Sequence, residues 1–210
     1  LVVSSMLTVP AVAGFDDHFI DKTMRIDYYH IGDAKSEDIT LDRVYEYGTW
    51  AGSTKNLIDT YDNGTYFAKL YDAKSGELIF SRGFNSIFQE YQSTNLPKRT
   101  FSESVIAPFP KKPVRFVIEK RRSSDNTMRE VFWTVIEPSD ANIVRIEPND
   151  PSVKVLESHI GGSPHDSLDI AFIADGYTKK GEKKFRKDLE RYTRIILSRE
   201  PYKSRKDRIN

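Results

Sequence analysis

Between residues 15 and 147 apolar and polar positions alternate in short bursts separated by turn residues, the two-residue period of half-buried strands. Segments 23–30 (TMRIDYYH), 38–47 (DITLDRVYEY), 65–72 (TYFAKLYD), 77–82 (ELIFSR), 99–109, 114–121 and 130–137 (EVFWTVIE) predict seven strands. In 38–47, Ile39 and Leu41 share a phase that slips before Val44. Lys74-Ser75-Gly76 marks a hairpin between the third and fourth segments, and Asp62-Asn63-Gly64 is a second hairpin signal. Pro108, Pro110 and Pro113 separate the fifth and sixth segments, and one helical turn fits residues 84–91. Seven short strands at regular spacing with turn chemistry between them predict an antiparallel β-sandwich over residues 14–148.

The pattern changes after the proline-rich stretch 138–151, which reads as a boundary. Residues 168–174 (LDIAFIA) form an almost unbroken apolar run, as in a strand covered on both faces. Asp175-Gly176-Tyr177-Thr178 turns the chain into a helix expected over 179–198. Phe185, Leu189, Tyr192 and Ile196 step by four, three and four along one of its faces. Thr178 stands at the N-cap position, and Pro201 ends the helix. Strand, turn and helix open an α/β domain. Residues 149–210 supply no further layer for the apolar stripe, so they are expected to be the incomplete start of such a domain.

Composition refines this picture. The whole-chain charge is +1, and this balance argues against a polyanionic partner such as nucleic acid. Residues 149–210 nevertheless hold 14 basic and 10 acidic residues, so the two parts differ in character. The basic side chains of the helix (Lys179, Lys180, Lys183, Lys184, Arg186, Lys187, Arg191, Arg194) alternate with Glu182, Asp188 and Glu190 opposite the apolar stripe, as on a solvated outer face. There is no cysteine, which excludes disulfides, thiolate zinc ligands and thiol nucleophiles within the chain.

Residues 1–13 (LVVSSMLTVPAVA) are uncharged, small and apolar, and they end in Ala-Val-Ala before Gly14. They read as the remainder of a signal peptide and imply an exported protein, secreted or periplasmic. They are too short for a transmembrane span, which takes ~20 apolar residues.

Several long words resemble the IgA peptidase family of secreted zinc metallopeptidases. In its N-terminal domain these are FDDHFIDKTMRIDYY at 15–29 with the following HIGD, WAGSTKNLIDT at 50–60, YDAKSGELIFSRGF at 71–84 and RTFSESVIAPFPKKPVR at 99–115. LDIAFIADGYT at 168–178 and the segment 185–192 resemble the first strand and helix of the peptidase domain. The resemblance implies a complete protein that binds zinc through an H-E-x-x-H helix and cleaves a protein or peptide substrate. It also implies a β-domain that supports its own catalytic domain or presents substrate. His18, His30, His159 and His165 include no pair four apart and no H-E step, so no zinc ligand or catalytic residue is assigned here. The chain by itself is expected to hold no cofactor and to leave peptides uncut.

Three further features carry candidate chemistry. Asp175, Gly176 and Tyr177 follow the carboxyl end of the apolar run, where open α/β sheets place ligands. They either edge the substrate cleft of the complete enzyme or simply form a turn in which Tyr177 packs. His159, Ser163, His165 and Asp166 crowd a Gly-Gly-Ser-Pro loop, but closeness in sequence does not build a hydrolytic triad, and a capped turn is expected. Trp50, Tyr61, Tyr66 and Tyr91 would, if exposed, form a stacking surface. They carry the alternative reading of the chain, a stand-alone β-sandwich module that binds a host glycan or protein.

Overall fold

The computed structural model describes residues 14–147 and 150–210, apart from the Lys179 side chain; the leader read at 1–13 lies outside the described residues. Among the described residues, eight strands form two four-stranded sheets. The first sheet contains β1 (Phe19–Gly32), β2 (Glu37–Tyr47), β5 (Arg99–Pro110) and β8 (Val144–Ile146), in the order β5-β1-β2-β8. The second contains β3 (Tyr66–Asp72), β4 (Leu78–Phe84), β6 (Val114–Arg121) and β7 (Met128–Ile136), in the order β4-β3-β6-β7. All pairings are antiparallel except β2 with β8. The fold is mainly β, a sandwich of the class expected.

Alternation decides what each strand buries. Met24, Ile26 and Tyr28 of β1, Leu70 of β3, Phe116 and Ile118 of β6 and Phe109 of β5 point between the sheets and form one core with Phe19, Trp50 and Phe80. The phase slip in β2 is a bulge: Asp27 pairs with Arg43 and Tyr28 with Leu41, so Asp42 is left over and Val44 returns to the core. Trp50 is 1% exposed, lies edge-on to Phe80 at 5.9 Å between centroids, and donates from Nε1 to the Ser53 carbonyl. It pins the long 48–65 loop across the end of the sandwich.

Some expectations change. β5 continues through Pro108 to Pro110, because as an edge strand it can spare the amide that proline lacks. Asp62-Asn63-Gly64 does not join two strands; it brings the 48–65 loop into β3, with Asp62 at a left-handed φ of 51° and held by Arg121 at 2.7 Å. β8 lies inside the stretch read as a boundary, and with three residues among prolines it had no visible period.

The described residues also contain three α-helices, α1 (Phe15–His18), α2 (Ile87–Gln92) and α3 (Glu182–Leu197), and a 3-10 segment at Lys203–Arg208. α2 occupies the expected helical turn, with Ser86 as its cap accepting from the Phe88 amide. A 3-10 turn, Lys179–Gly181, precedes α3, and Thr178 makes no side-chain cap, contrary to the sequence expectation. The apolar run 168–174 does not form the expected strand, and only its start is paired: Leu168 bridges Ile209 in parallel, with amide bonds from Leu168 to the Arg208 carbonyl and from Ile170 to the Asn210 carbonyl, both 2.8 Å. Among the described residues no helix is long and apolar enough to cross a membrane.

Candidate functional site

Two places carry concentrated chemistry, one in the sandwich and one in the α/β segment. In the sandwich, the inward phase of five strands ends in polar residues at the same end of the core. β1 contributes Tyr28 and His30, β2 Glu37, β5 Glu103, β3 Tyr66 and β6 Lys120. Lys120 pairs in register with both Tyr66 and Arg129 of β7, so the second sheet delivers its charges to one point.

His30 is 1% exposed. Its Nε2 lies 3.0 Å from Glu37 Oε1, and its Nδ1 lies 3.2 Å from Glu103 Oε2. Glu37 also accepts from the Tyr66 hydroxyl at 2.7 Å, Lys120 Nζ at 2.7 Å and Arg129 at 3.3 Å. Glu103 accepts from the Tyr28 hydroxyl at 3.0 Å and the Ser86 hydroxyl at 2.6 Å. Lys120 also donates to Gln92 of α2 at 2.6 Å, and Phe88 of α2 stacks on the imidazole at 3.9 Å between centroids. Both sheets and α2 therefore meet in one hydrogen-bonded network.

The electrostatics follow from burial and partners. Burial alone would raise the Glu37 carboxyl, but hydrogen bonds from His30, Lys120 and Tyr66 outweigh it and hold the group down at about 2. Burial likewise opposes ionisation of Glu103, and donation from His30 and Ser86 prevails, so its carboxyl also sits below the ordinary range. For His30, burial disfavours the cation, while the bonds to Glu103 and Glu37 raise it above the ordinary histidine value. Tyr66 and Tyr28 are pushed up, first by burial and then by the adjacent carboxylates, so both hydroxyls remain donors. Each charged group of the network is engaged by at least one partner. This is a buried ionic network that ties the two sheets together.

The second place is the α/β segment. Gly176 takes a φ of +77°, which places it at the turn where side chains are disfavoured. Tyr177 donates to Asp188 Oδ2 at 2.9 Å and meets Phe185 edge-on at 5.1 Å, so its ring is fixed on the first two turns of α3. Asp175 and Gly176 are exposed. On the outer face of α3, Lys184 pairs with Asp188 at 2.7 Å and Arg191 with Asp188 at 3.2 Å. On its other face, Val155, Ile160, Phe172, Phe185, Leu189 and Ile196 line an open apolar groove of about 610 Å³.

The crowded loop does not assemble a triad. His159 faces the Lys206 carbonyl, Ser163 Oγ accepts the His165 amide, and Asp166 pairs with Lys55 of the sandwich. His165 sits between the Gly52 carbonyl and Asp21, both at 3.4 Å, which joins this loop to the sandwich. Gly161 packs where a Cβ would meet the Lys206 and Ile209 carbonyls, and its amide bonds Ile209 at 2.9 Å. The stacking surface is not formed either: Trp50 and Tyr66 are buried, Tyr91 leans on Phe101, and only Tyr61 of the four is fully open.

Zinc does not fit these residues. Among the described residues no group of three or more histidines, aspartates or glutamates is placed to hold a metal. The two carboxylates at His30 lie on opposite sides of the ring and do not converge on a common point.

A two-sheet sandwich is thus followed by a single parallel bridge and a helix with an open apolar face. The family model described as Peptidase M64 N-terminus matches residues 14–133, and that described as IgA Peptidase M64 matches residues 154–210. The chain belongs to the M64 peptidase family. No curated protein matches it.

Proposed function

We propose that the chain supplies the N-terminal β-domain and the opening α/β elements of an exported zinc metallopeptidase that cleaves protein substrates. The observation that carries this reading is the succession of two matches, N-terminal region and then peptidase, over nearly all of residues 14–210. The bare apolar face of α3 is of the kind that a further sheet layer covers in a complete α/β domain. On this reading the sandwich supports the catalytic domain through the loop at 161–167, which touches Asp21, Gly52 and Lys55. The turn Asp175-Gly176-Tyr177 edges the cleft, Tyr177 holding it to α3 while Asp175 and Gly176 face outward. Zinc and its general base belong to residues other than these, and the 210-residue chain leaves peptides uncut.

The test is to express the reading frame continued past Asn210 beside the 210-residue chain. The continued protein is expected to bind stoichiometric zinc and to cleave an unstructured protein such as casein, with activity lost on chelation. A continued frame that encodes no H-E-x-x-H, or a continued protein that folds without metal and without cleavage, overturns the assignment.

A further inference from the structure

We propose that His30 is a buried imidazolium latch: a histidine protonated throughout the neutral range, whose two N–H groups tie β1 to β2 and β5 and seat α2 over that end of the sandwich. A neutral imidazole carries one N–H. Here both ring nitrogens face carboxylate oxygens, at 3.0 and 3.2 Å, in a site that water does not reach. Those oxygens are already acceptors, from Tyr66 on one side and Tyr28 on the other. Removing the proton would therefore set a ring lone pair against an oxygen lone pair with nothing to separate them.

The surroundings favour the cation. β2 faces His30 with Glu37, β5 with Glu103, β1 with the Tyr28 hydroxyl and β3 with the Tyr66 hydroxyl. Lys120 of β6 and Arg129 of β7 stand behind Glu37, and α2 faces the ring with Phe88 and with the Ser86 hydroxyl that caps it. Two carboxylates thus meet the cations of His30 and Lys120 inside, with Arg129 at the rim. Phe88, 25° from parallel to the imidazole, adds a cation–π contact that exists only for the charged ring.

The latch acts in one direction. A histidine whose pKa is higher folded than unfolded stabilises the fold fully below its ordinary value, and this contribution is lost as pH rises through the folded value. The sandwich end closed by α2 is therefore held shut from mildly acid to neutral pH and loosens in alkali.

The test uses the full chain with 15N-labelled histidine. At pH 7.5 His30 is expected to show two protonated nitrogens. Glu103→Gln, which keeps the shape of the site, is expected to lower the proton affinity of His30 at least tenfold. Hydrogen exchange of the α2 amides, corrected for intrinsic rate, should accelerate at least tenfold as His30 loses its proton. A singly protonated His30 at pH 7 in the wild-type chain overturns the proposal, and so does α2 protection that is unchanged across the His30 titration. The wild-type measurements decide the matter even if Glu103→Gln does not fold.

Discussion

Glu37 is the residue on which the ionic core turns, because it alone bonds partners from both sheets: His30 from the first, Tyr66, Lys120 and Arg129 from the second. Its carboxyl falls from an ordinary 4.5 to about 2. A depressed carboxylate contributes stability that is present above the ordinary value and lost as pH falls through the folded one. Acid titration from pH 5 to pH 2 is therefore expected to remove on the order of 3 kcal/mol through this group. Urea midpoints across that range check it, and Glu37→Gln should flatten the slope. At neutral pH Glu37→Gln leaves Lys120 and His30 short of a counter-charge in a buried site, a class of change that costs about 3–5 kcal/mol. The core is legible in the sequence at this scale. His30 shares the phase of Ile26 and Tyr28, Glu103 that of Val105 and Ala107, and Lys120 that of Phe116 and Ile118. A charged residue on an inward phase has to find a partner. Which charges meet depends on strand order, and alternation carries no information about that.

At the scale of elements, α3 and the strands differ in what holds them. Leu189 is the only buried residue of α3, whereas β6 buries Val114, Phe116, Val117 and Ile118. Isolated helices shorter than ~12–15 residues are marginal in water, and longer ones still rely on packing. α3 is therefore expected to melt first. Both tryptophans, Trp50 and Trp133, lie in the sandwich, so their fluorescence follows the strands, while the helical far-ultraviolet signal follows mainly α3. Heating should give two transitions that do not coincide, the helical signal falling at the lower temperature. Phe116→Ala, at a site 1% exposed, is expected to destabilise the fluorescence transition by about 3–5 kcal/mol. Leu189→Ala should leave that transition within ~0.5 kcal/mol, because distant sites add independently. Coincident transitions, or a large fluorescence shift in Leu189→Ala, would mean that the two parts melt together. The seven longer strands could be read because each buries one face and so shows the two-residue period. β8 has three residues, too few for a period, and its parallel place beside β2 is set by the return of the chain from β7. The run 168–174 has the composition of a central strand, yet composition cannot supply a neighbour, and only its first residues find one at 208–210.

At the scale of the whole molecule, apolar surface is distributed unevenly. The sandwich closes its core on both sheets, while the α/β segment leaves Val155 at 80% exposure and Ile173 at 88%, both lining the groove beside α3. Contiguous apolar surface of this kind binds hydrophobic probes and promotes association. The joint between the parts is polar by contrast: Lys55 with Asp166 and His165 with Asp21 are partly or fully exposed pairs, each worth about 0–1 kcal/mol. The groove therefore contributes little to the stability of the sandwich, and its effects should be separable from it. The double substitution Val155→Ser and Ile173→Ser is expected to reduce the fluorescence of bound anilinonaphthalene sulfonate several-fold and to lower concentration-dependent self-association in sedimentation. The tryptophan-reported Tm should stay where it is, since neither residue belongs to the sandwich core. Unchanged dye binding would place the accessible apolar surface elsewhere, on the outer sheet face around Trp133 and Val135, each about half exposed. A lowered Tm would show that the groove face packs on the sandwich in solution, and the apolar layer of α3 would then already be covered within this chain.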